Sequence, residues 1–284
     1  MDKYIRAYVK NPCLYDFQYG DIPNLAGLDP NKYDGRGSKD IPSGNLIIYV
    51  DWRNLTELLN KLYFLKYWYV ILVESADHSI QNLSYIPYNV CRIYTTNINI
   101  RNPLIEYFPF GILPSQWNGI QRSNKIVSRE HKVLISFSTT TYEYRKLYFE
   151  NINKLPQEYR FGSYPMNLNE YFDMLWTCKY VACPRGGGID TYRKYEALYS
   201  GAIPIVQPNL LNDLSIFPCI FTDKNFSITM ESIDRQTKKL LYCDNTMLHC
   251  EFWRKKFEGE FPLTKTGDCG RINVSSQIVE ENIL

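Results

Sequence analysis

An arginine directly precedes a run of three glycines in the second half of the chain, and a second arginine and a glutamate follow it. The segment Cys183–Val206 reads CPRGGGIDTYRKYEALYSGAIPIV. Arg185 and Arg193 carry planar guanidinium groups that bind phosphate through paired hydrogen bonds, and Glu196 carries a carboxylate that accepts hydrogen bonds from hydroxyl groups. Because these groups flank a loop without side chains, the segment is typical of a site for a ligand with phosphates and a ribose.

A helix N-terminus is predicted directly behind the glycines. The apolar run Tyr180–Cys183 predicts a strand before the loop, and Ile203–Val206 predicts another strand after the helix, which ends at Gly201. Asp190 or Thr191 is expected to cap the helix, and the N–H groups of its first turn are expected to bind phosphate. The loop residues predicted to contact the ligand are Arg185, Gly186, Gly187, Gly188, Asp190 and Thr191.

The predicted helix carries Arg193 and Glu196 on one face. With Ala197 and Ser200 they fall at positions i, i+3, i+4 and i+7. Arg193 is expected to meet a diphosphate near the helix start, and Glu196, one turn deeper, to accept the two ribose hydroxyls. The alternative is a surface ion pair worth about 0.3 kcal/mol beside a flexible glycine turn. The number of independent positions that agree favours the binding site.

The segment Tyr171–Val206 resembles the donor-site signature of exostosin-like glycosyltransferases, PRGxGxDTxRxxEALxxGxIPVV. Elsewhere the resemblance is looser but in order, with a strand and an arginine-bearing helix at Val133–Leu147 and a helix around Trp253. The glycine pair Gly187 and Gly188 makes the loop looser than the family pattern. The chain is much shorter than the two-activity exostosins and is similar to the compact, single-site members of bacteria and of large DNA viruses of algae.

The resemblance implies a GT-B fold, in which two Rossmann-like α/β domains face each other across a cleft. It implies an acceptor-binding domain at residues 1–118 and a nucleotide-sugar-binding domain at residues 119–284. It also implies inverting transfer from a UDP-sugar to a hydroxyl of a glycan acceptor, with Arg145 directed at the same diphosphate as Arg185 and Arg193. UDP-xylose is the first choice of donor, which would make the chain a xylosyltransferase.

Three alternatives stay open at this point. The chain is compatible with a GDP-sugar-dependent transferase similar to fucosyltransferases. It is also compatible with a nucleotide-binding or glycan-binding module without transfer activity, although such a degenerate site would be expected to have lost Arg193 or Glu196. Arg145 is equally compatible with a solvated arginine on a helix surface.

Strand and helix patterns alternate through both halves of the chain, which independently predicts two Rossmann-like α/β domains. The other predicted strands are Tyr4–Val9, Leu46–Val50, Trp68–Val73, Val90–Thr95 and Lys132–Phe137, and the other predicted helices are Leu55–Leu65 and Tyr142–Asn153. The stretch Asn11–Gly44 is predicted to be a long loop, and Pro109–Lys125 is predicted to connect the two domains.

The catalytic groups are expected to act without a metal ion or other cofactor. The sequence has no Asp-x-Asp pair, so the arginines and the helix dipole are expected to stabilise the leaving diphosphate. A base is needed to accept the proton of the acceptor hydroxyl, and a loop at a strand end in the first half is its expected place. Asp77 is the first choice, and His78, Glu74 and Asp51 are alternatives, although each is also typical of a turn or cap.

Composition restricts the partners and the location. With 32 basic and 30 acidic residues, the chain has no net field to attract nucleic acid or an anionic membrane. The most apolar run, Tyr67–Val73, is too short to span a bilayer, and the N-terminus lacks the apolar region of a signal peptide. The sequence therefore predicts a cytoplasmic protein, in the host cytoplasm if the chain is viral. The 8 cysteines are scattered and are expected to be reduced and mostly buried.

Overall fold

The computed structural model describes residues 16–19, 39–41, 43–74, 83, 85–98, 100–112, 114–123, 128–162, 165–208, 217–240, 248, 250–262 and 277–278. The chain divides into two compact units: the first unit contains Tyr8–Pro109 and Cys250–Glu280, and the second unit contains Phe110–His249. Each unit has a parallel sheet of five strands with helices between them in sequence. The predicted α/β class is confirmed, whereas the predicted strand Tyr4–Val9 lies outside the described residues.

The elements are numbered in chain order. The strands are β1 (Phe17–Tyr19), β2 (Leu46–Asp51), β3 (Tyr69–Glu74), β4 (Val90–Thr95), β5 (Ile100–Arg101), β6 (Ile105–Tyr107), β7 (Glu130–Leu134), β8 (Arg160–Phe161), β9 (Cys178–Ala182), β10 (Ile203–Val206), β11 (Ile220–Phe221) and β12 (Gln277–Ile278). The helices are α1 (Leu55–Leu62), α2 (Pro114–Arg122), α3 (Arg145–Ile152), α4 (Leu168–Thr177), α5 (Tyr192–Ser200), α6 (Met230–Lys239) and α7 (Cys250–Gly259). Short 3-10 turns occur at Trp52–Asn54 and Gln157–Tyr159.

The sheet of the first unit runs β1-β2-β3-β4-β6, and all neighbouring strands are parallel. Its strand order follows the chain order, so no reversal occurs among its described strands. Helix α1 forms because Leu55, Leu58, Leu59 and Leu62 line one face, and all four are buried. A separate antiparallel pair joins β5 and β12.

Helix α7 belongs to the first unit although it follows the second in sequence. Its Trp253 and Phe257 are buried and pack against Tyr94 and Phe108, with ring centroids 4.7–6.2 Å apart. The Tyr94 hydroxyl also donates a hydrogen bond of 2.8 Å to Glu260. Aromatic pairs in this geometry stabilise a fold by more than the burial of their surface alone. Helix α7 is therefore part of the core of this unit.

The sheet of the second unit runs β8-β7-β9-β10-β11, and its neighbouring strands are parallel. In chain order this is second, first, third, fourth and fifth, so the direction of winding reverses between β7 and β9. In open α/β sheets the crevice at such a reversal, at the carboxyl ends of the strands, is where ligands bind. The fold therefore places the loops after β7 and β9 at the favoured position of this unit.

Two elements lie in stretches that the sequence predicted to be a loop and a connection. Strand β1 lies within the predicted loop Asn11–Gly44, and it forms because it pairs with β2, with Phe17 opposite Ile48. Helix α2 lies within the predicted connection Pro109–Lys125. It is held by packing: a Cβ atom at Gly119 would overlap the buried ring of Phe172, so only glycine allows the two helices to approach this closely.

Arg129 joins the ends of two helices in the second unit. Its guanidinium donates hydrogen bonds of 2.8 Å to the carbonyls of Leu175 and Cys178 and a third to the carbonyl of Ser200. These carbonyls lie at the C-terminal ends of α4 and α5, where the helix dipole favours a positive charge. Arg129 therefore holds α5 against α4 from the end opposite the glycines.

Within the described ranges, no helix combines the length and the apolar character needed to cross a bilayer.

Candidate functional site

The glycine loop, residues 183–191, leaves the carboxyl end of β9 and leads into α5. It therefore lies at the reversal point of the sheet, next to the loop of residues 135–144 that leaves β7. Thr191 is the N-cap residue of α5 with an extended backbone, but its side chain makes no capping hydrogen bond. Helix α5 ends, as predicted, at Gly201, whose φ of 82° lies in the left-handed region.

Asp190 directs its carboxylate into the interior of the unit. One oxygen, Oδ1, accepts from the Thr191 backbone N–H at 3.0 Å and pairs with the Lys194 ammonium at 2.6 Å. The other oxygen, Oδ2, accepts from the Tyr195 hydroxyl at 2.5 Å and from the Phe110 backbone N–H at 3.0 Å. The carboxylate predicted to contact the ligand thus connects the loop, α5 and residue 110.

The pair of Asp190 and Lys194 is almost completely removed from water, with side-chain exposures of 1% and 4%. The Lys194 ammonium also lies over the rings of Tyr195 and Phe217, at 4.8 and 5.9 Å from their centroids. A buried ion pair stabilises a fold only when further hydrogen bonds satisfy both charges, and here hydroxyl, amide and aromatic partners do so. The pair therefore fixes the start of α5.

Arg193 and Glu196 both contact Tyr171 of α4. The Arg193 guanidinium lies 4.7 Å from the centroid of the Tyr171 ring, and the Tyr171 hydroxyl donates a hydrogen bond of 2.6 Å to Oε2 of Glu196. Glu196 is buried and Arg193 is half-buried. Burial raises the pKa of Tyr171 well above its ordinary value, so the phenol stays protonated and remains a donor to the carboxylate.

Replacing Tyr171 with phenylalanine is expected to lower the free energy of unfolding by about 1–2 kcal/mol, because the buried Glu196 carboxylate loses its phenol donor. Urea unfolding measures the change. Tyr159→Phe is the matched control, since its hydroxyl makes no hydrogen bond within the described part of the chain. Equal losses in the two variants would contradict the importance of the Tyr171 hydrogen bond.

Arg185 and Arg145 hold the glycine loop against the loop that follows β7. The Arg185 guanidinium lies 4.5 Å from the centroid of the Tyr142 ring, and its Nη2 lies 3.5 Å from the Gly187 carbonyl. Arg145 donates to backbone carbonyls on both loops. Within the loop, the Gly186 N–H donates to the Gly188 carbonyl at 3.2 Å, Gly187 is exposed, and Gly186 and Gly188 are buried.

A small cavity lies beside the loop and the first turn of α5. Its volume is about 10 Å³, and its polar lining comprises Arg185, Asp190, Thr191, Lys194 and Gln207. This volume suffices for about one water molecule. A nucleotide needs a cleft of about 300 Å³ or more. The cavity is therefore large enough for one water molecule, and a nucleotide would have to lie outside it.

Cys183 begins the loop but is not a nucleophile in this state. Its thiol is buried, and Sγ lies 3.3 Å from the Val181 carbonyl and 3.5 Å from the Arg193 carbonyl. Burial raises the pKa of the Cys183 thiol well above its ordinary value. Since the thiolate is the reactive form, the thiol remains neutral and unreactive at neutral pH.

The predicted bases fall at the carboxyl edge of the other sheet or beyond the described residues. Asp77 and His78 lie outside the described residues. Glu74 is the last residue of β3, opposite Asp51 of β2 in the parallel ladder. Asp51 is nearly buried, and its carboxylate binds the backbone and guanidinium of Arg53 at 2.7–2.9 Å. Asp51 therefore acts as a cap and ion-pair partner, one of the two roles left open for it.

Sequence reasoning did not single out four side chains that the fold brings to the site. They are Tyr142, Tyr171, Lys194 and Gln207. Only Lys194 carried a local signal, because it follows Asp190 by four residues, the spacing of an ion pair on a helix. The others reach the site from distant segments, so spacing along the chain could not have shown them.

Comparison with models of known protein families and with curated proteins yields no match to this chain.

Proposed function

We propose that this chain is an inverting glycosyltransferase that works without a metal ion and moves a sugar from a UDP-sugar to a hydroxyl of a glycan acceptor. UDP-xylose is the first choice of donor. The proposal includes the GT-B arrangement, with the acceptor bound by the N-terminal half and the nucleotide-sugar by the C-terminal half.

One observation carries the proposal: the glycine loop and the N-terminus of α5 lie at the strand reversal of the second unit. This is where open α/β sheets bind nucleotides, and it is where Arg185 and the first-turn N–H groups of α5 are. Arg193 stands one residue inside the helix, stacked on Tyr171. Loop, helix end and arginines together form a set of donors suited to a diphosphate.

The chemistry of sugar transfer explains the need for these donors. As the bond between sugar and diphosphate breaks, negative charge gathers on the leaving UDP. The guanidinium groups of Arg185 and Arg193 and the positive end of α5 would stabilise that charge where it develops. On the acceptor side, Asp77 is the first choice for the base, with His78 and Glu74 as alternatives.

A thermal-shift experiment with EDTA present tests the proposal. UDP and UDP-xylose at about 100 times their Kd are expected to add about 2.7 kcal/mol of stability and so to raise Tm by several degrees. GDP serves as the matched nucleotide control. Absence of stabilisation by any nucleotide would overturn the proposal. A larger shift with GDP would favour the GDP-sugar alternative, and UDP binding without sugar release in the presence of glycan acceptors would favour a binding module.

A further inference from the structure

Two arginines link the segments that follow β7 and β9 at the reversal point of the sheet. Arg145, the first residue of α3, reaches the glycine loop, and Arg185 of the glycine loop reaches back to Tyr142. The glycine loop is therefore linked to the segment after β7 by one arginine from each side.

All three guanidinium nitrogens of Arg145 donate hydrogen bonds to backbone carbonyls. Its Nε donates to the Arg185 carbonyl at 2.6 Å, its Nη2 to the Pro184 carbonyl at 3.3 Å, and its Nη1 to the Ser138 carbonyl at 3.1 Å. Two of these carbonyls belong to the glycine loop and the third to the loop after β7. The side chain therefore sets the separation of the two loops.

The place of Arg145 on its own helix supports this role. It stands at the N-terminus of α3, where the helix dipole disfavours a positive charge. The three carbonyl oxygens compensate, because each turns the negative end of its dipole toward the guanidinium. The contacts across the loops thus account for an arginine at a helix position that local electrostatics would not select.

Tyr142 holds the other end of Arg185. The guanidinium carbon of Arg185 lies 4.5 Å from the centroid of the Tyr142 ring, within the range of a cation–π contact. Stacking restricts the rotation of the guanidinium. Backbone and guanidinium of Arg185 are thus held by two residues of the same neighbouring segment.

We propose that Tyr142 and Arg145 are positioning residues that hold Arg185 in the orientation required to bind a diphosphate. Arg145 fixes the backbone of Arg185 and Tyr142 fixes its guanidinium. The ligand class in this inference rests on the proposed function, whereas the link between the loops does not. In this role Arg145 acts through the loop carbonyls, in contrast to the direct diphosphate contact that the resemblance implied.

Tyr142→Leu removes the aromatic ring, whereas Tyr142→Phe removes only the hydroxyl, so the two variants separate the contributions of these two groups. Tyr142→Leu is expected to speed hydrogen exchange of the 183–191 segment and to weaken UDP binding about 10-fold, whereas Tyr142→Phe keeps both near the wild-type values. Arg145→Lys, which keeps the charge but loses the fork, is expected to speed the same exchange. Tyr159→Leu, at a partly exposed tyrosine that packs on His131, is the control for loss of a tyrosine.

A double-mutant cycle with Arg185→Ala distinguishes positioning from a general loss of structure. If Tyr142 acts through Arg185, Tyr142→Leu has no further effect on UDP affinity in the Arg185→Ala background. A full 10-fold loss in that background, or unchanged exchange in the 183–191 segment of Tyr142→Leu, would overturn the inference. If wild-type protein does not bind UDP, the proposed function falls, and the exchange measurement still decides whether Tyr142 and Arg145 hold the loop.

Discussion

Replacing Lys194 with methionine is expected to lower the free energy of unfolding by about 3 kcal/mol. The change leaves the buried Asp190 carboxylate without its ammonium partner at 2.6 Å, and removal of one member of a buried pair typically costs about 3–5 kcal/mol. The lower end applies because Asp190 keeps its hydrogen bonds from Tyr195, Thr191 and Phe110. Urea unfolding followed by fluorescence measures the loss.

Two further variants test the cause of that loss. Lys132→Met removes a lysine from the partly exposed pair with Glu130 in the same unit, and it is expected to leave the unfolding midpoint nearly unchanged. The double variant Asp190→Asn with Lys194→Met is expected to recover part of the stability, because no unpaired charge remains buried. A double variant that is as unstable as the sum of its single changes would show that the two side chains act independently.

Arg193→Ala is expected to weaken UDP binding about 100-fold, equivalent to about 2.7 kcal/mol. A charged donor to phosphate contributes about 1.5–3 kcal/mol, and the stack on Tyr171 holds this guanidinium in place before the ligand arrives. Arg193→Lys keeps the charge but loses the planar fork, so an intermediate loss of about 10-fold is expected. Isothermal titration calorimetry with UDP measures all three affinities.

Arg235→Ala is the control for the loss of one positive charge. Arg235 is an exposed residue of α6, and its removal is expected to change UDP affinity less than about 2-fold. Unchanged UDP affinity in Arg193→Ala would remove Arg193 from the proposed site. A comparable loss in Arg235→Ala would show that binding follows net charge and not a particular arginine.

Regular elements with a strong local pattern were predictable from sequence. Strands β4 and β10 have the predicted bounds, and α1 begins at the predicted Leu55. In each of them the spacing of the apolar residues matches the period of the observed element, so burial and backbone hydrogen bonding favour the same conformation. Strand β7 was predicted at Lys132–Phe137 and lies at Glu130–Leu134. There the apolar run continues past the end of the strand: Ile135 and Phe137 are buried, and the Ile135 N–H still donates to the Phe161 carbonyl at 2.8 Å.

Elements without a pattern of their own were not predictable. Strand β1 has three residues and is a strand only because β2 supplies the hydrogen-bonding partners. Helix α2 depends on the close approach of Phe172 at Gly119, which comes from a helix far along the chain. In both cases the stabilising contact comes from a residue far away in the sequence. Local residue spacing and helix or strand propensity therefore could not predict these elements.

The sequence by itself determined the chemical content of the candidate site: a glycine loop, a helix behind it, and Arg185, Arg193 and Glu196 at set intervals. Local geometry follows from local spacing, because residues three positions apart on a helix face the same way wherever the helix lies. Only the tertiary structure decided the neighbours. Tyr171 and Tyr142 meet these side chains, and the loop lies at the strand reversal, because long-range packing and strand order depend on the whole unit.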